Sequence, residues 1–113
     1  MKVFSSEKEG ILVGQVDSRV LDASTARAFK DAIKPLLIQD ARLVLDLSKV
    51  EFIDSSGLGA LVSCLRQAHA SGGEIKLTGL RKPARALFEL VRMHRVFEVF
   101  NSPEEAITSY EVV

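Results

Sequence analysis

The stretch LVLDLSKVEFIDSSGLGALVS, Leu43 to Ser63, carries the strongest fold signal in this sequence. Its first residues are consecutive leucine and valine, a pattern typical of a strand buried on both faces in a parallel sheet. We predict that strand over Arg42 to Ser48. A further strand ends at about Ile53, and a helix starts near Ser56. The stretch therefore predicts a strand-to-helix junction around a polar, glycine-containing motif.

Upstream of this stretch, two strands and a helix are predicted. KVFSS and ILVGQV flank a charged turn closed by Gly10, which is the pattern of a β-hairpin at a sheet edge. Asp22 or Ser24 can then cap a helix whose apolar residues recur at helical spacing. Pro35 falls inside that pattern and should kink or end the helix, because proline lacks the backbone N–H. We leave the end of this helix open.

Downstream, strand and helix patterns continue to alternate. The helix after the motif should stop at the glycines of SGG, residues 71–73, and EIKLTGL reads as another strand. Pro83 suits the first turn of a third helix. VFEVF, residues 96–100, is a short strand, and Ser102 with Glu105 forms a capping box for a last helix. The residues of the third helix expected to face inward are Leu87, Leu90 and Val91. This alternation predicts an α/β fold in one domain, residues 1–113.

Composition narrows the class of protein. The 113 residues carry 15 basic and 15 acidic side chains, so no long-range attraction to nucleic acid or to an anionic membrane is expected. The N-terminus lacks the apolar region of a signal peptide, and no apolar run approaches the roughly 18 to 20 residues of a membrane-spanning helix. Cys64 is the lone cysteine and cannot form an internal disulfide. We therefore expect a cytoplasmic protein without direct membrane insertion.

The motif Asp54-Ser55-Ser56-Gly57-Leu58-Gly59 holds the chemistry of this stretch. Asp54 or Ser55 would serve as a helix cap, which is worth about 1 kcal/mol. Capping needs one such residue, however, and the motif has more. The two glycines weaken a first helical turn by up to about 1 kcal/mol each. Their presence indicates close approach by another backbone or by a ligand.

Three functional interpretations fit these residue types. A phosphate-binding loop would use the free amides of the helix start, but the motif matches neither G-x-x-x-x-G-K-[ST] nor G-x-G-x-x-G. A serine nucleophile would need a G-x-S-x-G turn and a base, and only His69 and His94 are present. The third interpretation is a serine hydroxyl that another protein phosphorylates. A phosphate on Ser55 would add a charge of about −1.5 to −2 beside Asp54.

Leu43 to Ser63 resembles the signature of the STAS-domain anti-sigma factor antagonists, in which a strand ending D-L-S is followed by D-S-[ST]-G-L-G at a helix start. Three further segments resemble other parts of that family: GQVDSRVLDASTA (Gly14 to Ala26), KLTGL and FNSPEEAI. The resemblance covers nearly the whole chain. It implies a single STAS domain with a small, mixed, mainly parallel sheet of about four or five strands, flanked by about four helices.

The resemblance also implies a regulator rather than an enzyme. Ser55 matches the serine that is phosphorylated by a serine kinase acting as the anti-sigma factor, and a PP2C-type phosphatase reverses the reaction. The unphosphorylated form binds the kinase and frees the sigma factor. ATP belongs to the kinase, so no cofactor and no metal are expected here. The other residues assigned to the motif and the partner-binding surface are Asp54, Ser56, Gly57, Leu58, Gly59 and Asp17.

Within that surface, Gly57 and Gly59 lack side chains and should therefore let a partner approach closely. Leu58 should lie partly at the interface, and Leu61 should be buried. An exposed turn acid is the simpler interpretation of Asp17. The alternative function is a STAS module of a sensory signalling complex or a lipid-transport subunit, in which the serine need not be modified.

Two features downstream stand apart from the motif. Many family members have glycine where this chain has Arg92, so its turn lacks glycine's left-handed freedom. The basic residues of this region are either a solvated helix face or a site for an acidic partner. They are Arg81, Lys82, Arg85, Arg92 and Arg95.

Overall fold

Residues 1–110 are described by a computed structural model in which a five-stranded sheet lies between helices. The last three residues of the predicted domain, 111–113, lie outside the described residues. The strands are β1 (Lys2–Lys8), β2 (Ile11–Asp17), β3 (Val20–Leu21), β4 (Arg42–Asp46), β5 (Phe52–Ile53), β6 (Glu74–Thr78) and β7 (Val99–Phe100). The helices are α1 (Ala26–Gln39), α2 (Ser55–Ala70), α3 (Lys82–Leu90) and α4 (Pro103–Tyr110), with a 3₁₀ turn at Met93–Arg95.

The sheet has the strand order β1-β2-β4-β6-β7. β1 and β2 form the predicted antiparallel hairpin, and the other neighbours in the sheet are parallel. The predicted fold class, a mixed and mainly parallel sheet with about four helices, is therefore confirmed. β3 and β5 form a separate parallel pair, Val20 with Phe52 and Leu21 with Ile53. That small ladder, which was not predicted, positions the motif.

Apolar side chains are buried on both faces of the sheet because successive residues of a strand point to opposite sides. On one face α4 contributes Ala106 and Ile107, which cluster with Ile11, Val13 and Val44. The other face belongs to a larger cluster that includes side chains of α1, α2 and α3. The consecutive apolar residues of β4 are thus explained, since both of its faces are covered.

The start and end of α1 differ from the expectation. Neither Asp22 nor Ser24 caps it, because the helix begins at Ala26 after Thr25; the Asp22 carboxylate instead accepts the backbone N–H of Ser24 at 2.9 Å. Pro35 does not end the helix, which runs on to Gln39. The proline lies on the exposed face of α1, where water can satisfy the carbonyl that loses its partner.

The sequence pattern wrongly predicted that the third helix continues inward-facing through Val91. α3 ends at Leu90, whose side chain is 80% exposed, and Val91 is 42% exposed. Ala84 and Phe88 face the core instead, and the Phe88 ring packs against Phe97 with 6.2 Å between centroids. Because Phe97 packs against Phe88, it does not join the sheet, and the strand predicted over residues 96–100 is limited to Val99–Phe100.

The last helix follows its capping signal closely. The Ser102 hydroxyl accepts the backbone N–H of Glu105 at 3.2 Å, while the Glu105 carboxylate accepts the N–H of Asn101. Ala106 and Ile107 are the buried residues of this helix. The Tyr110 hydroxyl reaches the sheet and donates to a backbone carbonyl, with Leu43 and Glu74 both within reach. α4 is thereby fastened across β4 and β6.

Candidate functional site

The motif starts where the short ladder of β3 and β5 ends. The backbone N–H of Asp54 donates to the carbonyl of Leu21 at 3.1 Å, which continues the parallel pairing by one residue. α2 then begins at Ser55, one residue before the predicted start. The junction is therefore anchored to β3 as well as to its own strand.

Asp54 is the N-cap of α2. Its Oδ1 accepts the backbone N–H of Gly57 at 2.9 Å, and its own carbonyl accepts the N–H of Leu58. Of the N–H groups in the first helical turn, this leaves those of Ser55 and Ser56 without an intrahelical partner. Of the two proposed caps, the structure selects Asp54.

The two glycines have different roles. Gly57 is buried against the backbone of Leu21, and an added Cβ would lie 2.5 Å from the carbonyl carbon of that residue. Gly59 is exposed, with nothing within 4 Å of an added Cβ. The prediction that Gly57 lets a partner approach closely is therefore corrected, because this glycine allows α2 to pack closely on β3. Gly59 lies on an open surface.

The expected position of Leu58 is also corrected. Its side chain is 8% exposed and belongs to the main core cluster, so it is not partly exposed at an interface. Leu61 is buried as expected. Both leucines hold the first turn of α2 in place, which fixes the direction in which the two serines point.

Ser55 and Ser56 are the exposed hydroxyl-bearing residues of the motif. They occupy the first two positions of α2, beyond the carboxyl end of β5, a region where α/β proteins commonly bind ligands. His69 lies fourteen residues beyond Ser55 on the same helix, about 21 Å away at 1.5 Å per residue. Its Nε2 is 3.0 Å from Glu74 Oε1 instead. It cannot act as a base for Ser55.

Charged side chains flank the motif on the loops that lead to it. Asp17 ends β2 and lies 3.5 Å from Lys49 Nζ, which joins it to the loop between β4 and β5. Glu51 pairs with Arg19 and with Arg81, and the bond from Arg19 lowers the pKa of the Glu51 carboxyl. Asp17 thus has an ion-pair partner rather than a free carboxylate.

The sequence interpretation did not include Phe52 in the candidate surface. Phe52 is 51% exposed next to the motif, whereas its neighbour Ile53 is buried. The alternation of side chains along a strand is consistent with this difference, because Phe52 and Ile53 point to opposite sides of the β3–β5 ladder. An exposed aromatic ring beside the serines adds an apolar contact to the candidate surface.

The candidate site is an open surface. A groove of about 280 Å³ lies between Lys8, Glu9 and α4, and none of its lining residues belongs to the motif. Across residues 1–110, no group of three or more His, Cys, Asp or Glu side chains is placed to hold a metal ion. No helix in that range has the length and apolar character needed to cross a membrane.

Curated relatives match over most of this chain. BtrV of Bordetella bronchiseptica, provisionally named an anti-sigma factor antagonist, is 26% identical over 111 residues, covering 98% of this chain and 96% of BtrV. The anti-sigma-B factor antagonist of Bacillus subtilis is 26% identical over 87 residues, covering 77% of this chain and 80% of that protein.

Solved structures share the fold. An anti-sigma factor antagonist from Mycobacterium paratuberculosis superposes with a TM-score of 0.85 at 24% identity, covering 98% of this chain and 94% of that one. The phosphorylated form of SpoIIAA from Bacillus gives 0.67 at 19% identity, covering 96% and 99% of the two chains. The murine anion transporter Slc26a9 gives 0.75 at 23% identity, covering 94% of this chain but 18% of the transporter.

The strand order, the junction at Asp54 and these similarities agree with one domain family. The sequence profile of the STAS domain matches residues 5–106, from β1 into α4. This chain belongs to the STAS domain family.

Proposed function

We propose that this protein is an anti-sigma factor antagonist whose binding is controlled by phosphorylation of Ser55. In this proposal the unphosphorylated form binds an anti-sigma factor that is also a serine kinase, and the sigma factor is released. A PP2C-type phosphatase restores the binding form. The observation that carries the proposal is the exposed hydroxyl-bearing side chain of Ser55 at the first position of α2. The names of the curated relatives support the antagonist role.

The proposed switch is electrostatic. A phosphate on Ser55 adds a charge of about −1.5 to −2 at a surface that already carries the Asp54 carboxylate. The free N–H groups at the start of α2 tolerate this charge locally. Gly57 and Leu58 hold the turn in the core, so the phosphate alters the docking surface without repacking the fold.

In this proposal the protein is a substrate and a binding partner rather than an enzyme. The histidine of α2, His69, cannot serve as a base for Ser55, because it lies at the far end of the helix and pairs with Glu74. The kinase supplies ATP and the catalytic groups. We therefore place the protein in the cytoplasm, together with the kinase and the sigma factor, with no nucleic acid among its direct partners.

Incubation with the partner kinase and ATP, followed by mass spectrometry of proteolytic fragments, tests the phosphorylation site. We expect one phosphate on Ser55 and none in Ser55→Ala. Ser56→Ala is the matched control, because Ser56 is also exposed one position further along α2, and this variant should still be phosphorylated on Ser55. Phosphate confined to Ser56, or no phosphate with an active kinase, would exclude the proposed site.

A second candidate function is a STAS module within a larger assembly, such as a sensory signalling complex or a lipid-transport subunit. The similarity to a small part of an anion transporter favours it, because there the fold forms part of a much longer chain. This alternative predicts that Ser55→Ala and Ser55→Asp assemble equally well with the other subunits. A difference between the two variants supports the switch instead.

A further inference from the structure

Three exposed apolar side chains lie at the end of α3 and in the compact turn that follows it. Leu90 is 80% exposed, Val91 42% and Val96 45%. Backbone hydrogen bonds fold the segment tightly, including Val91 N–H to Leu87 O at 3.0 Å and Val96 N–H to Met93 O at 2.9 Å. Single exposed apolar residues are ordinary, but several close together in a folded segment are a candidate interaction surface.

Arginines surround these apolar side chains in the sequence. Within residues 1–110, Arg85, Arg92 and Arg95 form no salt bridge, whereas Arg19, Arg42 and Arg81 each pair with a carboxylate. Glu89 is the lone acidic residue between positions 81 and 96. The structure thus divides the predicted basic patch. Arg81 belongs to the Glu51 cluster, and the turn keeps an unneutralised positive charge.

The backbone of the turn carries a further signal. Arg92 has φ 60° and ψ 31°, in the left-handed region that glycine adopts without a steric penalty. Strained backbone of this kind persists where the surrounding structure holds it and is concentrated at functional sites. Here the strained residue is an exposed arginine in the same turn as the exposed apolar side chains.

We propose that this turn binds an acidic amphipathic segment of another protein. Leu90, Val91 and Val96 contact the apolar side chains of that segment, and the three arginines pair with its carboxylates. We call these six residues the α3-turn surface. The site lies outside the Ser55 motif, and the inference does not depend on phosphorylation.

One observation favours protein carboxylates over an anionic membrane as the occupant. The three arginines can bind a carboxylate or a phosphate through paired hydrogen bonds, so their geometry does not decide between the two. The whole chain has a formal net charge of zero, so it lacks the long-range attraction that brings basic proteins to anionic lipid.

The test uses the full chain, labelled with ¹⁵N, and a synthetic acidic peptide. The peptide has about 15 residues, with leucines at helical spacing on one face and glutamates on the other. We expect saturable binding, with amide chemical-shift changes concentrated in residues 84–97. Binding should weaken about tenfold or more between about 0.05 and 0.5 M salt, because partly exposed charge pairs are screened.

Matched variants distinguish specific binding at the α3-turn surface from non-specific binding. Leu90→Ser and Arg95→Glu should each weaken peptide binding about tenfold, the usual effect of losing one important contact. Ile38→Ser is the apolar control at 75% exposure on α1, and Arg66→Glu is the charge control on α2. Both controls should bind normally. Ser55→Asp should also bind the peptide normally. This variant distinguishes failure of this inference from failure of the Ser55 proposal.

Three outcomes would overturn the inference. One is absence of saturable binding by the acidic peptide. Another is equal binding of a peptide in which every glutamate is replaced by lysine. The third is that the protein prefers vesicles containing phosphatidylglycerol and that the unsubstituted protein binds the peptide no more tightly than Leu90→Ser does.

Discussion

The backbone of Leu21 in β3 occupies the space that a side chain at Gly57 would need. An added Cβ would approach the carbonyl oxygen of Leu21 and lie 2.5 Å from its carbonyl carbon and 2.8 Å from its Cβ. Leu21 also accepts the N–H of Asp54. One residue of β3 therefore fixes both the entry to α2 and its first turn, and so fixes the position of Ser55.

Replacing Gly57 by alanine should destabilise the protein by about 3 kcal/mol, because the obstructing atoms are mostly backbone and overpacked sites of this kind cost about 1 to 3 kcal/mol. The free energy of unfolding from urea titration measures the effect. An unchanged free energy of unfolding would show that α2 can shift away from β3 without loss.

Gly59→Ala is the control for that substitution. Gly59 is two residues further along the same helix, and an added Cβ meets nothing within 4 Å. Alanine should stabilise the protein here by about 0.5 to 1 kcal/mol through its helix propensity. Destabilisation by both substitutions would indicate that α2 needs glycine for a reason other than contact with Leu21.

Asp54→Ala should lower the free energy of unfolding by about 1 kcal/mol, because the Gly57 N–H loses its acceptor. Asp54→Asn keeps an N-cap oxygen and should lose much less. The same pair separates stability from recognition. If kinase binding depends on the carboxylate charge, both variants bind weakly, and if it depends only on the capped turn, Asp54→Asn binds normally.

Arg92→Gly should raise the free energy of unfolding by up to about 1 kcal/mol, because glycine adopts φ 60° without strain. Arg92→Ala removes the same guanidinium but keeps a Cβ in the left-handed region, so no such gain is expected. Thermal or urea unfolding of the two variants measures the difference. Equal stability of both variants would show that the turn carries no relievable strain.

Stability should fall at alkaline pH because of Cys64. Burial raises the pKa of this thiol from 9.0 to about 11. Between about pH 9 and 11 the unfolded chain loses a proton that the folded protein keeps, so the free energy of unfolding falls by about 1 kcal/mol per pH unit. Burial also raises the pKa of Tyr110, which acts in the same direction at higher pH.

Cys64→Ala is the matched variant for this pH dependence. It should be less stable at neutral pH because it leaves a small cavity, yet its stability should fall less steeply above about pH 9. A slope equal to that of the unsubstituted protein would assign the alkaline loss to other groups.

The sequence predicted the larger part of the fold because strong patterns decided it. The apolar run of β4, the hairpin of β1 and β2, and the Ser102 capping signal each have one plausible structure. β3 was missed because a two-residue strand has no detectable period, whereas the strand ending at Ile53 was predicted and its pairing with β3 was not. The inward-facing residues of α3 were misjudged because Leu90 and Val91 continue the apolar spacing, although the helix ends at Leu90 and both side chains are exposed.

The strand-to-helix junction at Asp54 was predicted, but the contacts that hold it in place were not. The two glycines indicated a close approach, and the sequence could not show that β3 approaches Gly57 while Gly59 faces open space. Leu58 was expected to lie partly at the interface, whereas its spacing from Leu61 already matched a buried helical face. Long-range contacts of this kind depend on the tertiary fold.

Binding of the partner kinase to the unphosphorylated and the phosphorylated protein tests the central claim most directly. We expect the unphosphorylated protein and Ser55→Ala to bind with the same dissociation constant. The phosphorylated protein and Ser55→Asp should bind at least about tenfold more weakly, because the added charge opposes docking. Equal dissociation constants for the phosphorylated and unphosphorylated protein would contradict control by Ser55.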